Sequence, residues 1–160
     1  MNQPVIKEKA AFKIVGITTK TSNANEMTIN AQIPALWGTF FEQEVSEKIF
    51  AVSDSPITYG LYSDYVSDVN GAYSMTIGRE VHSDEAHQRF VVKEIPAAKY
   101  AVFTSEKGPI PQIVIETWQN IWTWFAHANV ERTYTGDFEV YDEKSTNPNE
   151  AQIEIYIAIK

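Results

Sequence analysis

The expected elements of this chain run strand, helix, strand, strand, and then run in the same order again. No other feature restricts the fold as much. Residues 11–21 are rich in β-branched side chains and read as a strand, and residues 22–30 as a polar loop. From residue 31 to about residue 50, Ile33, Leu36, Trp37, Phe40, Phe41 and Val45 recur at the i, i+3, i+4, i+7 spacing of an amphipathic helix. Pro34 fits its first turn, and Glu42, Glu44, Glu47 and Lys48 lie outside. A turn at 53–56 leads to strands at 57–62 and 72–81, joined by a segment ending in Asn70-Gly71. Residues 83–88 form a charged loop and residues 89–95 a further strand. The second passage has a strand at 99–105, a Gly108-Pro109 turn and a helix at 111–128, with Ile113, Trp118, Ile121, Trp122 and Phe125 on one stripe. A strand at 137–141, a polar loop at 143–150 and a strictly alternating strand at 151–159 complete it.

The residues repeat as well as the elements. Residues 13–18 lie over 99–104, and Leu36, Trp37 and Phe40 over Ile121, Trp122 and Phe125. Tyr59-Gly60-Leu61-Tyr62 lies over Phe138-Glu139-Val140-Tyr141, and 72–78 over 151–157. Self-similarity of this kind marks a duplicated unit, about 5–82 and 89–160, within a single domain spanning 1–160. Neither copy has enough strands to bury its own apolar face. The expected fold is α+β: two pseudo-symmetric β-α-β-β modules sharing an antiparallel sheet, both helices on one face. The ligand cleft belongs at the pseudo-twofold.

Alternation sorts the strand residues by face. Phe138 and Val140 are expected to face the helices with Ile153, Ile155 and Ile157. Glu139 and Tyr141 then share the other face with Glu154 and Tyr156. The matched face of the first copy carries Gly60, Tyr62, Met75 and Ile77, so one side of the cleft is acidic and the other apolar. Aromatic rings attract a soft cation, by about 0.5 to 2 kcal/mol per contact, and a buried carboxylate supplies its counter-charge. The plainer alternative is a solvated sheet face, with the Trp and Phe stripes as core. Matched Trp37 and Trp122 would be anchors first and cleft walls second.

Charge narrows the partners. With 13 Lys+Arg against 21 Asp+Glu the formal charge is −8, which argues against contact with nucleic-acid phosphates. Cysteine is absent, which excludes disulfides, thiolate nucleophiles and thiolate-bound metals. Aromatic residues reach 12%, enough to fill a core and line a pocket. No signal peptide or membrane-spanning stretch is legible, so the expected setting is cytoplasmic. His82 and His87 flank Asp84 and Glu85, but the spacing is not a metal-ligand rhythm, and no cofactor or metal is expected.

Lys-Tyr-Ala-Val-Phe at 99–103, then Gly-Pro, a Trp-bearing helix, Phe-Glu-Val-Tyr and a terminal Ile-Glu-Ile-Tyr-Ile resemble the GyrI-like effector-binding family. Such domains sense ligands for AraC-type and MerR-type activators, including multidrug-sensing ones. The resemblance runs from about Val5 to Lys160. It implies two pseudo-symmetric modules around a cleft, with Glu139 at its base meeting cationic ligands. It carries Glu154 and Tyr156 over from the last strand and, less directly, Tyr62, Met75, Trp37 and Tyr59. No helix-turn-helix precedes Val5, so a standalone effector-binding domain is expected. Its ligand would be a small amphipathic cation, its candidate protein partner a separate transcription regulator, with no direct nucleic-acid contact. Two alternatives stay open: a small-molecule hydrolase using Glu139 as acid or base, and a protein-binding inhibitor of the DNA-gyrase type.

Overall fold

A computed structural model describes residues 3–45, 57–67, 70–81 and 90–160. In chain order these form β1 (Val5–Lys9), β2 (Phe12–Ser22), α1 (Asn23–Glu26), α2 (Ile33–Glu42), β3 (Thr58–Ser63), β4 (Ala72–Val81), β5 (Val91–Ile95) and β6 (Ala98–Thr104). Then come α3 (Gln112–His127), β7 (Asp137–Tyr141), a single 3₁₀ turn (Glu143–Ser145) and β8 (Glu154–Ile159). The eight strands make one antiparallel sheet in the order β1-β6-β8-β7-β3-β4-β2-β5. That order is a palindrome about the β7–β3 seam: β6-β8-β7 mirrors β2-β4-β3. The α+β fold with two related modules on one sheet is therefore present.

The outer strands are exchanged. β1 precedes β2 but pairs with β6 of the other module, and β5 precedes β6 but pairs with β2. Ala10 and Ala11 alone connect β1 to β2, and Pro96 and Ala97 connect β5 to β6. Two linking residues reach about 11 Å, whereas a flat sheet would separate β1 from β2 by about 29 Å. The sheet must therefore curl until its ends approach. Inside the curl Phe12, Tyr59, Leu61, Tyr100, Phe138 and Val140 form a core to which no helix contributes among the described residues. Phe138 stacks on Tyr156 at 4.7 Å and meets Phe12 edge-on at 5.3 Å.

The outer face carries both longer helices. Leu36 and Phe40 of α2 pack on Val15, Met75 and Ile77. Ile113 and Ile121 of α3 pack on Ala101, Phe103, Ile153, Ile155 and Ile157.

Several expectations change in detail. The first helix stops at Glu42 because Glu44 turns left-handed (φ 52°), and 46–50 lie outside the described residues. So do the turn at 53–56 and the loop with His82 and His87. Within 22–30 lies the one-turn helix α1, where the Ser22 hydroxyl accepts the Asn25 N–H. β1 had no expectation at all; its side chains are mostly exposed, so its sequence shows no buried alternation.

Candidate functional site

The strand register decides which side chains meet. Glu139 pairs with Ile155 on one side and Gly60 on the other, so it shares the helix-bearing face with them. Phe138 pairs with Tyr156 and points into the curl. The expected grouping was thus one residue out of step on β7: Glu139 and Tyr141 face the helices, while Glu154 and Tyr156 lie on the opposite face. Alternation fixes the relative faces within a strand, not the offset between strands, and on β7 both faces are buried.

Glu139 is 2% exposed, and three neutral donors close on it. The Tyr62 hydroxyl donates to Oε2 at 2.7 Å, the Trp118 indole N–H to the same oxygen at 2.7 Å, and the Tyr141 hydroxyl to Oε1 at 2.6 Å. Burial raises the Glu139 pKa, and the bonds from Tyr141, Trp118 and Tyr62 pull it back only in part. Burial, then the adjacent carboxylate, holds both tyrosine hydroxyls well above their usual range. Gly60 makes the room: a Cβ there would sit 3.0 Å from Glu139 Oε1 and 3.1 Å from the Met75 methyl.

The site shows its own twofold. Tyr62 and Tyr141, one from each module, converge on one carboxylate. Trp37 of α2 sits edge-on to Tyr141 at 5.0 Å, as Trp118 of α3 sits edge-on to Tyr62 at 5.1 Å. Trp37 stacks on Phe41 at 5.8 Å, and Trp118 lies beside Trp122 at 6.1 Å. By packing, then, Trp37 corresponds to Trp118 and not to Trp122, a one-turn shift from the sequence match.

A cavity of about 420 Å³ opens in front of Tyr62 and Trp118. Its wall continues through Tyr73 and Tyr65 to Arg132, and Glu26, Ile33 and Trp122 also line it. The exposed side chains of Met27, Ile115 and Trp122 give it apolar edges. Glu26 is itself held in place, accepting the Thr21 hydroxyl (2.6 Å) and the N–H groups of Gln32 (2.8 Å) and Ile33 (2.9 Å). Glu139 is not itself a wall residue; it lies behind the two rings that donate to it.

Of the residues singled out from sequence, the structure brings together Glu139, Tyr141, Tyr62, Met75 and Trp37, and places Trp122 on the cavity wall. Tyr59 lies inside the curl, bonded to Glu80 at 3.3 Å, apart from the cavity. Glu154 and Tyr156 are half-buried on that same opposite face. Sequence reasoning placed Trp118 on the helical stripe but not in the site. Sequence reasoning did not single out Glu26, Tyr65, Tyr73 or Arg132: Glu26, Tyr65 and Arg132 fall outside the segments read as strands or helices, and Tyr73, though within a matched strand, lies over Gln152 of the other copy, which carries no ring. Among the described residues no cluster suited to a metal ion occurs, and no helix is long and apolar enough to cross a membrane.

The profile of Cass2, integron-associated effector binding protein, matches residues 5–159. The chain is 41% identical over 149 residues, 92% of each chain, to the putative transcriptional regulator protein YobU of Bacillus subtilis (strain 168). The fold is similar to the integron cassette protein from the mobile metagenome of Vibrio cholerae, with TM-score 0.80 and 31% identity over 99% of this chain and 96% of that one. It is also similar to SAV2435, solved bound to tetraphenylphosphonium, with TM-score 0.82 and 17% identity over 99% and 94%.

Proposed function

We propose, for a chain that belongs to the Cass2 family of integron-associated effector-binding proteins, that the cavity takes lipophilic organic cations and that Glu139 is their counter-charge. One observation carries this reading. Glu139 is a buried carboxylate held by three neutral donors, with no cationic side chain among the described groups that shift its pKa. A buried charge without an opposite charge is costly, and an incoming cation offsets that cost. Tyr62 and Trp118 transmit the effect: a ring donating to a carboxylate gains electron density, and its face attracts a cation more strongly. The tetraphenylphosphonium bound by the similarly folded SAV2435 belongs to this ligand class.

The same geometry favours binding over hydrolysis. Both Glu139 oxygens are engaged, and the rings stand between them and the cavity, so the carboxyl makes no proton-transfer contact with a ligand. We read the domain as a cytoplasmic sensor whose occupancy is relayed to transcription, in line with the regulator named among its relatives.

Tryptophan-fluorescence titration tests this with tetraphenylphosphonium and neutral triphenylphosphine oxide. The cation is expected to bind saturably and more tightly than the neutral compound. Glu139→Gln is expected to weaken it by about 10- to 100-fold. Equal affinity for the two compounds, or for wild type and variant, overturns the reading.

A further inference from the structure

The far end of the cavity carries a second polar group that the cation reading does not use. Arg132 lines the wall, with its side chain 7% exposed. Its Nη2 donates to Asp137 Oδ2 at 2.6 Å, while Nε is buried without a partner. A guanidinium offers five N–H donors, and a buried donor left unmade is unfavourable. The ring of Tyr134 fixes the group from one side, 4.5 Å from the guanidinium carbon. The ion pair with Asp137 neutralises its charge, so it does not repel a cation as a bare arginine would.

Its placement relative to Glu139 is set by a row of tyrosines. Tyr62 donates to Glu139, Tyr62 and Tyr73 are 5.5 Å apart, Tyr73 and Tyr65 are 5.9 Å apart, and Tyr65 donates to Asp137 at 2.6 Å. All three rings line the cavity. One end of the row thus holds a carboxylate with no cation among the described residues, and the other a guanidinium with a donor to spare.

We propose that Arg132 forms a hydrogen-bond-donor subsite, and that the cavity selects lipophilic cations carrying an acceptor oxygen, such as an ester or ketone carbonyl, on the arm remote from the charge. This rests on the cavity being the cation site. A full anion is disfavoured there, because Asp137 already occupies the charge of Arg132 and the Glu26 carboxylate also lines the cavity.

The test compares three probes by fluorescence titration: tetraphenylphosphonium, the same ion with one para methyl ester, and the same ion with a para isopropenyl group of similar shape. On wild type the ester is expected to bind about tenfold tighter than the isopropenyl probe, the scale of one hydrogen bond from a charged donor. In the double variant Arg132→Met, Asp137→Asn, which removes donor and counter-charge together, that ratio is expected to fall to about one. Should this variant not fold, the ¹⁵N–¹H resonance of Arg132 Nε in wild type decides, assigned with Arg132→Lys. It is expected to shift more with the ester than with the isopropenyl probe, and equal shifts overturn the subsite. Binding of all three probes with equal affinity overturns it while leaving the cation site standing. So does an ester preference that survives in the double variant. Binding of none overturns both readings.

Discussion

Asp137 and Glu139 stand on one face of the same strand, roughly 7 Å apart by strand geometry, and are 0% and 2% exposed. They are satisfied in opposite ways. Asp137 has a cation of its own, Arg132, together with the Tyr65 hydroxyl and the Ala158 N–H at 2.8 Å. Glu139 has donors but, among the described residues, no cation. Burial is nearly equal, so what separates them is charge compensation. A carboxylate neutralised within the chain is a structural tie between β7, β8 and the segment after α3. A carboxylate left uncompensated is a charge held in reserve.

The comparison is most severely tested at Arg132. Arg132→Ala strands a buried Asp137 and is expected to destabilise the fold by about 3 to 5 kcal/mol in chemical denaturation. A loss below 1 kcal/mol would mean that water already compensates Asp137.

Glu139→Gln should do the reverse to stability while weakening cation binding. Because burial raises the folded-state pKa, the native chain holds this proton to a higher pH than the unfolded chain. The stability linked to that proton is fully present below the ordinary carboxylate pKa and is lost as pH rises through the folded value. At neutral pH the unliganded Glu139→Gln protein is therefore expected to melt higher than wild type, and its stability should lack that pH-dependent fall. Cation affinity runs the other way, falling as acid protonates Glu139. A wild-type protein whose affinity does not change between pH 8 and acid would contradict the contrast between the two acids.

The contrast also explains what could be read in advance. The duplicated element order announced the palindromic sheet, and Phe-Glu-Val-Tyr over Tyr-Gly-Leu-Tyr placed Gly60 opposite Glu139 with a tyrosine from each copy. These are local patterns that survive folding. What failed depended on long-range geometry. Alternation grouped Glu154 and Tyr156 with Glu139 on the assumption that a sheet has one buried face, and only the family resemblance carried Tyr59 to the cleft. The exchanged strands β1 and β5 curl the sheet and bury the other face too, so alternation alone could not orient β7. Trp118 was hidden by a one-turn ambiguity between two aromatic-rich helices. Arg132 was hidden because its partner is defined by packing, not by spacing.

Smaller effects separate the donors around Glu139. Tyr62→Phe and Tyr141→Phe each remove one bond to the buried acid, worth about 1.5 to 3 kcal/mol when the acceptor is charged. Both should raise the Glu139 pKa further, shifting the acid limb of cation binding to higher pH. Tyr62 lines the cavity and Tyr141 does not, so Tyr62→Phe should also change the affinity plateau at high pH, whereas Tyr141→Phe should move the limb alone. Identical profiles for the two variants would mean that the modules present their tyrosines to the ligand equivalently, against the one-sided cavity.

The smallest expected effect probes the space itself. Gly60→Ala puts a methyl against Glu139 Oε1 and the Met75 methyl, each the far end of a flexible side chain. Both can yield, so destabilisation should stay near the low end of overpacking, about 1 kcal/mol. The carboxylate, however, is held by three short bonds and cannot move without lengthening one. The expected signature is therefore a modest loss of stability with a disproportionate rise in the pKa of cation binding. If stability falls while the pH profile stays fixed, Met75 has absorbed the methyl and Gly60 serves packing alone. If the profile moves, the missing side chain on β3 is what gives β7 its charge in reserve.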